Sequence, residues 1–333
     1  MKLSYSFIIP VFNRPEETRE LLESFTKMQF EGDFEIVIVE DGSSERSQTV
    51  VENFKDRLNI SYYFKENSGP GDSRNFGMKK AKGNYFIILD SDCLLPPHYL
   101  QTVDAFLSET FVDCFGGADA AHESFTALQK AINYVMTSFL TTGGIRGSKN
   151  SVSKFEPRSF NMGISKEAFI KTKGFGKIHP GEDPDLSQRI RKAGFRTTFI
   201  ENAYVYHKRR ISWRKFYTQV RKFGLVRPIL NSWHPEAAKI TYWLPSLFVF
   251  YCFLSVVVMI AGFPLFYILL LVYIGILYIH SSIVNWNPLI GFLSIFAMFV
   301  QFFGYGLAFL HSIFYINLLK KDPKKQFPEL FFK

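Results

Sequence analysis

Apolar positions in the first part of the chain form short runs, separated by polar turns and by segments with helical spacing. Four such runs predict buried strands, at Tyr5–Val11, Phe34–Val39, Ile60–Phe64 and Tyr85–Leu89. Helical spacing over residues 15–28 and 73–82 predicts helices between them. Strands that alternate with helices favour right-handed crossovers, so the pattern predicts an α/β fold with a mainly parallel sheet and helices on both faces.

The pattern is less regular over residues 110–160, where glycine pairs at 116–117 and 143–144 interrupt it. We expect a long mobile loop around residues 142–157. Further on, helical spacing predicts helices over residues 165–172 and 185–193.

The second part of the chain is a long apolar region. No Lys, Arg, Asp or Glu occurs from Tyr242 to Ile316. Three segments are long enough to cross a hydrocarbon layer of about 30 Å, the middle one only just: Tyr242–Phe263, Pro264–Ser282 and Pro288–Ile316. We therefore expect two or three transmembrane helices.

Charge is distributed unevenly. Of the formal net charge of +9, residues 1–150 contribute −6, residues 151–241 contribute +12 and residues 242–333 contribute +3. Residues 208–227 contain eight Lys or Arg and no acid, with aromatic side chains at helical spacing. This pattern predicts a helix lying in the membrane interface, the alternative being a helix packed on the α/β domain. The basic residues lead directly into apolar sequence, which favours an anionic membrane surface over nucleic acid.

The basic residues on either side of the apolar region conflict with the number of apolar segments. Both the 208–227 segment and the lysine cluster at 320–325 favour the cytoplasmic side, which requires an even number of crossings. Three apolar segments are present, however. Either one of them is re-entrant or interfacial, or the C-terminal cluster lies outside.

The three cysteines, Cys93, Cys114 and Cys252, form no C-x-x-C pair and suggest a reducing compartment. The N-terminus lacks the pattern of a signal peptide, so we expect the α/β domain in the cytosol. The expected organisation is a domain over 1–207, a basic amphipathic segment over 208–241, transmembrane helices within 242–316 and a basic tail over 317–333.

Acidic side chains follow two of the predicted strands. Asp90 and Asp92, with Ser91 between them, come directly after the fourth strand and could together hold a divalent cation and a diphosphate. Asp41 follows the second strand, where it could accept hydrogen bonds from a nucleotide. Simple turns explain either motif alone. Because ligands bind at the carboxyl ends of parallel strands, their common position favours a binding crevice that also includes Asn13.

Two further motifs lie at predicted helix starts. A glycine-rich turn precedes Arg74, which suits an anionic ligand. Glu182 and Asp183 begin a later helix, where a pocketed carboxylate could act as a general base, although simple helix capping is the alternative. His207 follows an apolar strand, a position more typical of a structural histidine, but its imidazole could complete a metal site.

Taken together, the motifs resemble the family 2 glycosyltransferases with the GT-A fold. They occur in that family's order: Phe7-Ile-Ile-Pro-Val-Phe-Asn13, Val39-Glu-Asp-Gly-Ser-Ser44, Gly71-Asp-Ser-Arg-Asn-Phe-Gly77, Leu89-Asp-Ser-Asp92 and Gly181-Glu-Asp183. Asn161-Met-Gly163 resembles the acceptor-side segment. The resemblance covers about residues 4–210. The apolar C-terminal part is similar to the membrane-attached bacterial branch that makes succinoglycan-type exopolysaccharides and glycolipids.

This resemblance implies an inverting transfer from a nucleotide-diphosphate sugar, with UDP as the default, assisted by Mg²⁺ or Mn²⁺. It implies Asp183 as the general base with Glu182 beside it. The implied metal ligands are Asp90, Asp92 and His207. The implied contacts to the nucleotide donor are Pro10, Phe12, Asn13, Asp41, Arg74, Asp90 and Ser91. A lipid-linked or saccharide acceptor and a multi-pass inner-membrane enzyme with a cytoplasmic catalytic domain follow from the same resemblance.

The sequence departs from the family pattern at two places, and the second bears on whether one sugar or many are transferred. Glu40 stands where many relatives have Asp, which is a mild change. Gln219-Val-Arg-Lys-Phe223 lacks the Arg and Trp of the Q-x-x-R-W motif of processive synthases, so single-sugar transfer is favoured. A polyprenyl-phosphate glycosyltransferase, a processive synthase and a non-catalytic nucleotide-binding scaffold remain as alternatives.

Overall fold

A computed structural model describes residues 2–120, 125–143, 156–207 and 212–332, without the side chains of Asp119 and His207. The chain divides into two compact units. The first, here called the sheet unit, comprises Met1–His122, Ser153–Lys208 and Phe331–Lys333. The second, here called the helical unit, comprises Glu123–Val152 and Arg209–Leu330.

The sheet unit is built around eight strands in the order β3-β2-β1-β4-β7-β6-β8-β5. Their bounds are β1 (Tyr5–Val11), β2 (Phe34–Asp41), β3 (Ile60–Lys65), β4 (Tyr85–Leu89), β5 (Cys93–Leu94), β6 (Cys114–Ala120), β7 (Asn161–Ser165) and β8 (Thr197–His207). The helices of this unit, numbered along the whole chain, are α1 (Pro15–Phe25), α2 (Gln48–Glu52), α3 (Pro70–Lys80), α4 (Tyr99–Glu109), α7 (Lys166–Thr172) and α8 (Glu182–Lys192).

The first half of the sheet is the predicted parallel α/β arrangement. β1 pairs in parallel with β2 and with β4, and β2 pairs in parallel with β3. Alternate residues of β1 enter different cores: Phe7 and Ile9 pack in one apolar cluster, and Ile8 packs in another on the opposite face. Because both faces of the central strands are covered, these strands consist of nearly continuous apolar runs.

The second half of the sheet is mixed. β7 pairs antiparallel with both β4 and β6, β6 pairs in parallel with β8, and β5 pairs antiparallel with β8. The fold is therefore an α/β sheet in which antiparallel strands extend the parallel half beyond β4. Except for β6 and β7, which are consecutive but separated by residues 121–160, these pairings join strands that are not consecutive in the chain, which is why local spacing did not reveal them.

The helical unit contains α5 (Ala127–Thr137), α6 (Phe139–Thr142), α9 (Trp213–Trp233), α10 (Leu244–Ile260), α11 (Leu265–Val284), α12 (Pro288–Ser312) and α13 (Pro323–Gln326). A π-helical turn, Ile313–Leu318, continues α12. Short 3₁₀ turns occur at Pro235–Ala237, Ile240–Trp243 and Pro328–Leu330. Three of the described helices are long and apolar enough to cross a membrane by length and composition: Ile240–Ile260, Leu265–Val284 and Pro288–Leu318.

Residues 110–160 contain more regular structure than their sequence pattern indicated. They form β6, α5, α6 and the turn before β7. α5 belongs to the helical unit, where Ile132, Val135 and Met136 pack in one apolar cluster with residues of α9, α11 and α12. The loop expected around 142–157 lies almost entirely outside the described residues.

Candidate functional site

The candidate site begins at the carboxyl ends of three neighbouring parallel strands. β2, β1 and β4 are adjacent in the sheet, and Asp41, Asn13 and Asp90 lie at their ends. This is the edge at which open α/β sheets bind ligands. The structure therefore brings together three of the residues that the sequence had singled out from separate motifs.

Asn13 connects the end of β1 with the loop after β2. Its backbone has φ +52°, and its amide N–H donates to Ser43 Oγ at 2.8 Å. Its side-chain oxygen accepts hydrogen bonds from Ser44 Oγ at 3.1 Å and from the Glu45 amide at 3.0 Å. Asn13 therefore holds the two strand-end loops together.

Of the other two residues predicted on this strand, one is open to a ligand. The Phe12 side chain is 50% exposed, so its ring is available to contact a planar group. Pro10 is only partly exposed within β1.

The Asp41 carboxylate is buried and organises the loop that follows β3. It accepts hydrogen bonds from the Ser68 amide at 3.0 Å, the Gly69 amide at 2.9 Å and Lys65 Nζ at 2.9 Å. Gly42, directly after it, has φ +72°, and an added Cβ would lie 2.6 Å from the Asn67 amide nitrogen. Only glycine fits this turn without displacing the loop.

Glu40 is fully buried beneath this loop. It accepts hydrogen bonds from Ser43 Oγ, from the Ser47 amide at 2.8 Å and from the Tyr62 hydroxyl at 3.2 Å. These three donors compensate the buried charge, so Glu40 supports the loop that presents Asp41 rather than facing a ligand itself.

Arg74 lies at the centre of the site. It is 3% exposed on α3, and its guanidinium donates to Asp90 Oδ1 at 2.7 Å and to Glu182 Oε1 at 3.2 Å. Burial by itself lowers the pKa of Arg74, but the charges of Asp90, Asp183 and Glu182 raise it above its ordinary value. The guanidinium thus stays charged and joins the end of β4 to the start of α8.

The adjacent carboxylates Glu182 and Asp183 have pKa values displaced in opposite directions. Burial raises the pKa of Asp183 to about 6, and the Glu182 charge adds to the effect. Burial also opposes the ionisation of Glu182, but His179, whose Nδ1 lies 2.8 Å away, and Arg74 lower its pKa to about 2. His179 and Arg74 thus favour the ionised form of Glu182, whereas burial and the Glu182 charge favour the protonated form of Asp183.

Two buried side-chain atoms in the described part of the chain lack a hydrogen-bond partner, and both are in this cluster. They are Arg74 Nε and Asp183 Oδ1. Buried polar atoms are nearly always paired, so unpaired ones point to a missing ligand or to a functional role. The Ser159 amide donates to the Asp183 carboxylate, which leaves the unpaired oxygen free to accept a proton or a substrate hydroxyl.

Asp92 lies on the turn between β4 and β5, where it forms an ion pair with Arg14. Ser91, between it and Asp90, is buried. Both carboxylates are thus paired with arginines from other elements. Across residues 2–120, 125–143, 156–207 and 212–332, no group of three or more His, Cys, Asp or Glu is close enough to hold a metal ion.

The backbone of His207 pairs with Cys93 at the end of β8, but its side chain lies outside the described residues. The candidate metal ligands among the described side chains are the carboxylate oxygens of Asp90 and Asp92. Carboxylate oxygen is the ligand type that Mg²⁺ and Mn²⁺ prefer. A two-carboxylate set suits a cation that takes its other ligands from phosphate and water.

Several residues of this cluster were not singled out from the sequence. Arg14 and Lys65 each compensate a candidate carboxylate, and His179 compensates Glu182. Arg14 and Lys65 lie at strand ends, so their position in the sequence could have identified them as candidate site residues. His179 had none, because its role depends on a contact formed by folding.

Asn161, in the segment compared with an acceptor-side motif, is fully buried. Its side chain donates to Ala203 O at 2.8 Å and accepts from the Tyr99 hydroxyl at 2.6 Å. In this structure it joins β7 to β8 and α4.

With this geometry in view, comparison with known proteins identifies the family. Residues 6–171 match the family model Glycosyl transferase family 2. The chain belongs to the family 2 glycosyltransferases.

Two relatives illustrate the extent of the similarity. The chain is 32% identical over 114 residues to the poly(ribitol-phosphate) beta-N-acetylglucosaminyltransferase TarS of Staphylococcus aureus, a match that covers 33% of this chain and 20% of the relative. It is 32% identical over 205 residues to the GalNAc(5)-diNAcBac-PP-undecaprenol beta-1,3-glucosyltransferase of Campylobacter jejuni, which covers 60% of this chain and 62% of that protein. The chain thus spans about a fifth of the first relative and under two thirds of the second.

A solved structure shares the fold. The mannosyltransferase PcManGT from Pyrobaculum calidifontis, in complex with GDP-Man and Mn²⁺, has a TM-score of 0.61 at 14% identity, covering 92% of this chain and 88% of that chain. At this identity the similarity concerns the fold alone. The fold is GT-A-like, followed by apolar helices that are candidate membrane spans.

Proposed function

We propose that this protein is an inverting glycosyltransferase that moves one sugar from a nucleotide-diphosphate donor to the hydroxyl of a lipid-linked or membrane-proximal saccharide. The observation that carries the proposal is the buried cluster around Arg74, where Asp183 has an unpaired oxygen and a pKa raised to about 6. A base with this pKa is mostly ionised at neutral pH and still accepts a proton in the transition state.

In the proposed reaction the acceptor oxygen attacks the anomeric carbon of the sugar. The bond from that carbon to the diphosphate oxygen breaks, and the nucleoside diphosphate leaves. Asp183 takes the acceptor proton on its unpaired oxygen. Glu182 stays ionised beside it, and its charge keeps the pKa of Asp183 high enough for this role. Attack from the side opposite the leaving group inverts the anomeric configuration.

The donor would lie along the strand ends. Asp41 would accept an N–H of the nucleobase, with Asn13, Pro10 and the exposed Phe12 on the same side of the crevice. Arg74 would face the nucleotide phosphates, because its unpaired Nε can donate to an anionic oxygen. Asp90 and Ser91 would contact the ribose. UDP is the proposed nucleotide, by resemblance to the family.

Asp90 and Asp92 would hold Mg²⁺ or Mn²⁺, with His207 as a further ligand. When bound, the cation neutralises charge that develops on the departing diphosphate. The protein's own contribution is to keep two carboxylates at one strand end, each balanced by an arginine, Arg74 or Arg14.

The proposed acceptor follows from the membrane segment and from one relative. The Campylobacter protein is named as a glucosyltransferase that acts on an undecaprenol-diphosphate-linked saccharide. Three apolar helices in this chain would hold its catalytic domain on the cytoplasmic face of the inner membrane, where such an acceptor is presented. Single addition is favoured over chain extension, because the motif of processive synthases is incomplete.

A donor screen tests the proposal. Purified full-length protein in lipid nanodiscs is incubated with Mn²⁺, a panel of nucleotide sugars and undecaprenol-linked acceptors, and products are analysed by mass. We expect one nucleotide sugar to give a product larger by a single hexose or N-acetylhexosamine. A series of products that differ by one sugar each would show that the enzyme extends a chain, and would contradict single transfer. Nucleotide binding by calorimetry without any transfer or donor hydrolysis would instead support a non-catalytic scaffold.

A further inference from the structure

Two of the apolar helices form an antiparallel hairpin. α10 and α11 are joined by the four residues Ala261–Pro264. The Tyr251 hydroxyl donates to Phe266 O at 2.7 Å, and the rings of Phe248 and Tyr273 lie 5.9 Å apart. If the hairpin crosses a bilayer, the end of α11 therefore returns to the side on which α10 begins.

The third apolar helix, α12, runs between the two ends of this hairpin. Near its start, Ser294 Oγ lies 2.8 Å from Ser281 Oγ at the end of α11. Further on, Gly306 O accepts a hydrogen bond at 2.9 Å from Ser246 Oγ at the start of α10. These two points of α12 are separated by about 18 Å along a helix axis. A third crossing would bring one of them to the level of the α10–α11 turn instead, so α12 extends along the base of the hairpin.

α12 also packs closely along the basic helix α9. An added Cβ on Gly224 would lie 2.4 Å from Tyr305 O, so the two helices are nearly in backbone contact here. About two turns further along α12, Ser312 Oγ donates to Leu225 O at 2.7 Å, and the Tyr305 hydroxyl accepts a hydrogen bond from Arg227. Arginines are costly inside hydrocarbon and reach the headgroup layer where they can. The part of α12 beside α9 therefore belongs at headgroup depth.

α12 is also more buried than the other two apolar helices. In its most apolar stretch 44% of the residues are buried within the protein, against 22% for the first candidate span and 17% for α11. With its π-helical continuation it is 31 residues long, well beyond the ~20 residues that cross a bilayer. The high burial and the length both suit a helix that packs against other helices in the membrane interface.

The C-terminal residues supply an independent observation. Phe331 forms a β-bridge with Ile178, and the Phe332 amide donates to Lys177 O at 3.0 Å, so both residues belong to the sheet unit. The chain thus leaves the sheet unit before α9 and rejoins it after Leu330. Because a soluble domain lies on one side of a membrane, the number of crossings between these points is even.

We propose that the chain crosses the membrane twice, through α10 and α11, and that α12 lies with α9 in the headgroup layer of the same leaflet. The partner of this two-helix surface is an anionic lipid surface, which the cations of α9 attract. Both basic clusters then lie in the cytoplasm, in agreement with their composition. The proposal holds whether or not the protein transfers sugar.

Cysteine labelling tests this topology in the full-length protein. In a Cys252→Ser background the remaining native cysteines, Cys93 and Cys114, are fully buried. Single cysteines are introduced as Ala261→Cys in the hairpin turn, Trp286→Cys between α11 and α12, and Lys325→Cys in the tail. Intact spheroplasts and inside-out vesicles are treated with a membrane-impermeant maleimide. Phe263→Cys, Asn285→Cys and Lys321→Cys serve as second reporters at the same places if a first variant fails to accumulate.

We expect the 261 position to react only from outside, and the 286 and 325 positions only in inside-out vesicles. Labelling of position 325 from outside would establish three crossings and overturn the proposal. Labelling of position 286 from outside, or of position 261 only from inside, would overturn it as well, because α10 and α11 would then not be the crossing pair.

Discussion

Arg74 and Glu182 form an ion pair at 3.2 Å, although 108 residues separate them in the chain. The pair joins the glycine-rich turn before α3 to the start of α8, and through Asp90 it reaches the end of β4. Three motifs that are individually weak thereby become one electrostatic unit. The state of Asp183 depends on this unit, because Glu182 raises its pKa and Arg74 lowers it.

Asp183→Asn removes the proposed base while keeping a similar shape. We expect turnover to fall by about 10²–10⁴-fold, the usual contribution of a general base, with donor affinity nearly unchanged. Product formation by mass spectrometry and donor binding by calorimetry measure the two effects. The matched control is Asp185→Asn in the same helical turn, whose carboxylate pairs with Arg189. Equal losses in both variants would mean that the effect is structural.

The rate should depend on pH through Asp183. With a pKa of about 6, kcat/KM is expected to fall tenfold per pH unit below that value, because the protonated base cannot accept the acceptor proton. Glu182→Gln removes a neighbouring negative charge, which lowers the pKa of Asp183 and moves the acidic limb to lower pH. Rate profiles of both proteins between pH 4.5 and 8 measure the shift. An unmoved or upward-shifted limb in the variant would contradict the assigned coupling.

Stability should change with pH in the opposite sense to activity. The pKa of Asp183 is raised in the folded state, so the folded protein binds the proton more tightly than the unfolded chain does. The free energy of unfolding therefore decreases as pH rises from about 4 to about 6 through this group. Asp183→Asn lacks this loss, so its Tm should exceed that of the parent protein at pH 7 and approach it below pH 4. A Tm difference that does not vary with pH would exclude this explanation.

Asp92→Asn should weaken metal-dependent donor binding. The substitution removes one of two carboxylates at the end of β4, and we expect the Mn²⁺ concentration for half-maximal nucleotide binding to rise at least about tenfold. Calorimetric titration of UDP at fixed Mn²⁺ concentrations, with EDTA as the metal-free reference, measures this change. Asp56→Asn, at an exposed position away from the site, should bind as the parent does. Unchanged Mn²⁺ dependence in Asp92→Asn would remove Asp92 from the proposed metal site.

The sequence alone determined the elements whose pattern is local. β1 to β4, α3, α8 and the apolar helices follow from spacing, because backbone geometry sets the periods 2 and 3.6 wherever a face is buried. The family resemblance then followed from ordered motifs at the ends of these elements. By contrast, β6 and α5 lay in a stretch whose glycines obscured any period, and α5 packs with apolar helices more than a hundred residues away.

Tertiary structure alone decided which partners those elements meet. The Arg74–Glu182 pair, the approach of His179 to Glu182 and the unpaired oxygen of Asp183 depend on distances between remote parts of the chain, which no local pattern encodes. The same holds for the membrane segment. Composition identified three apolar helices of sufficient length, but the proposal that α12 lies along the bilayer surface rests on its contacts with α9, α10 and α11, which only the tertiary structure provides.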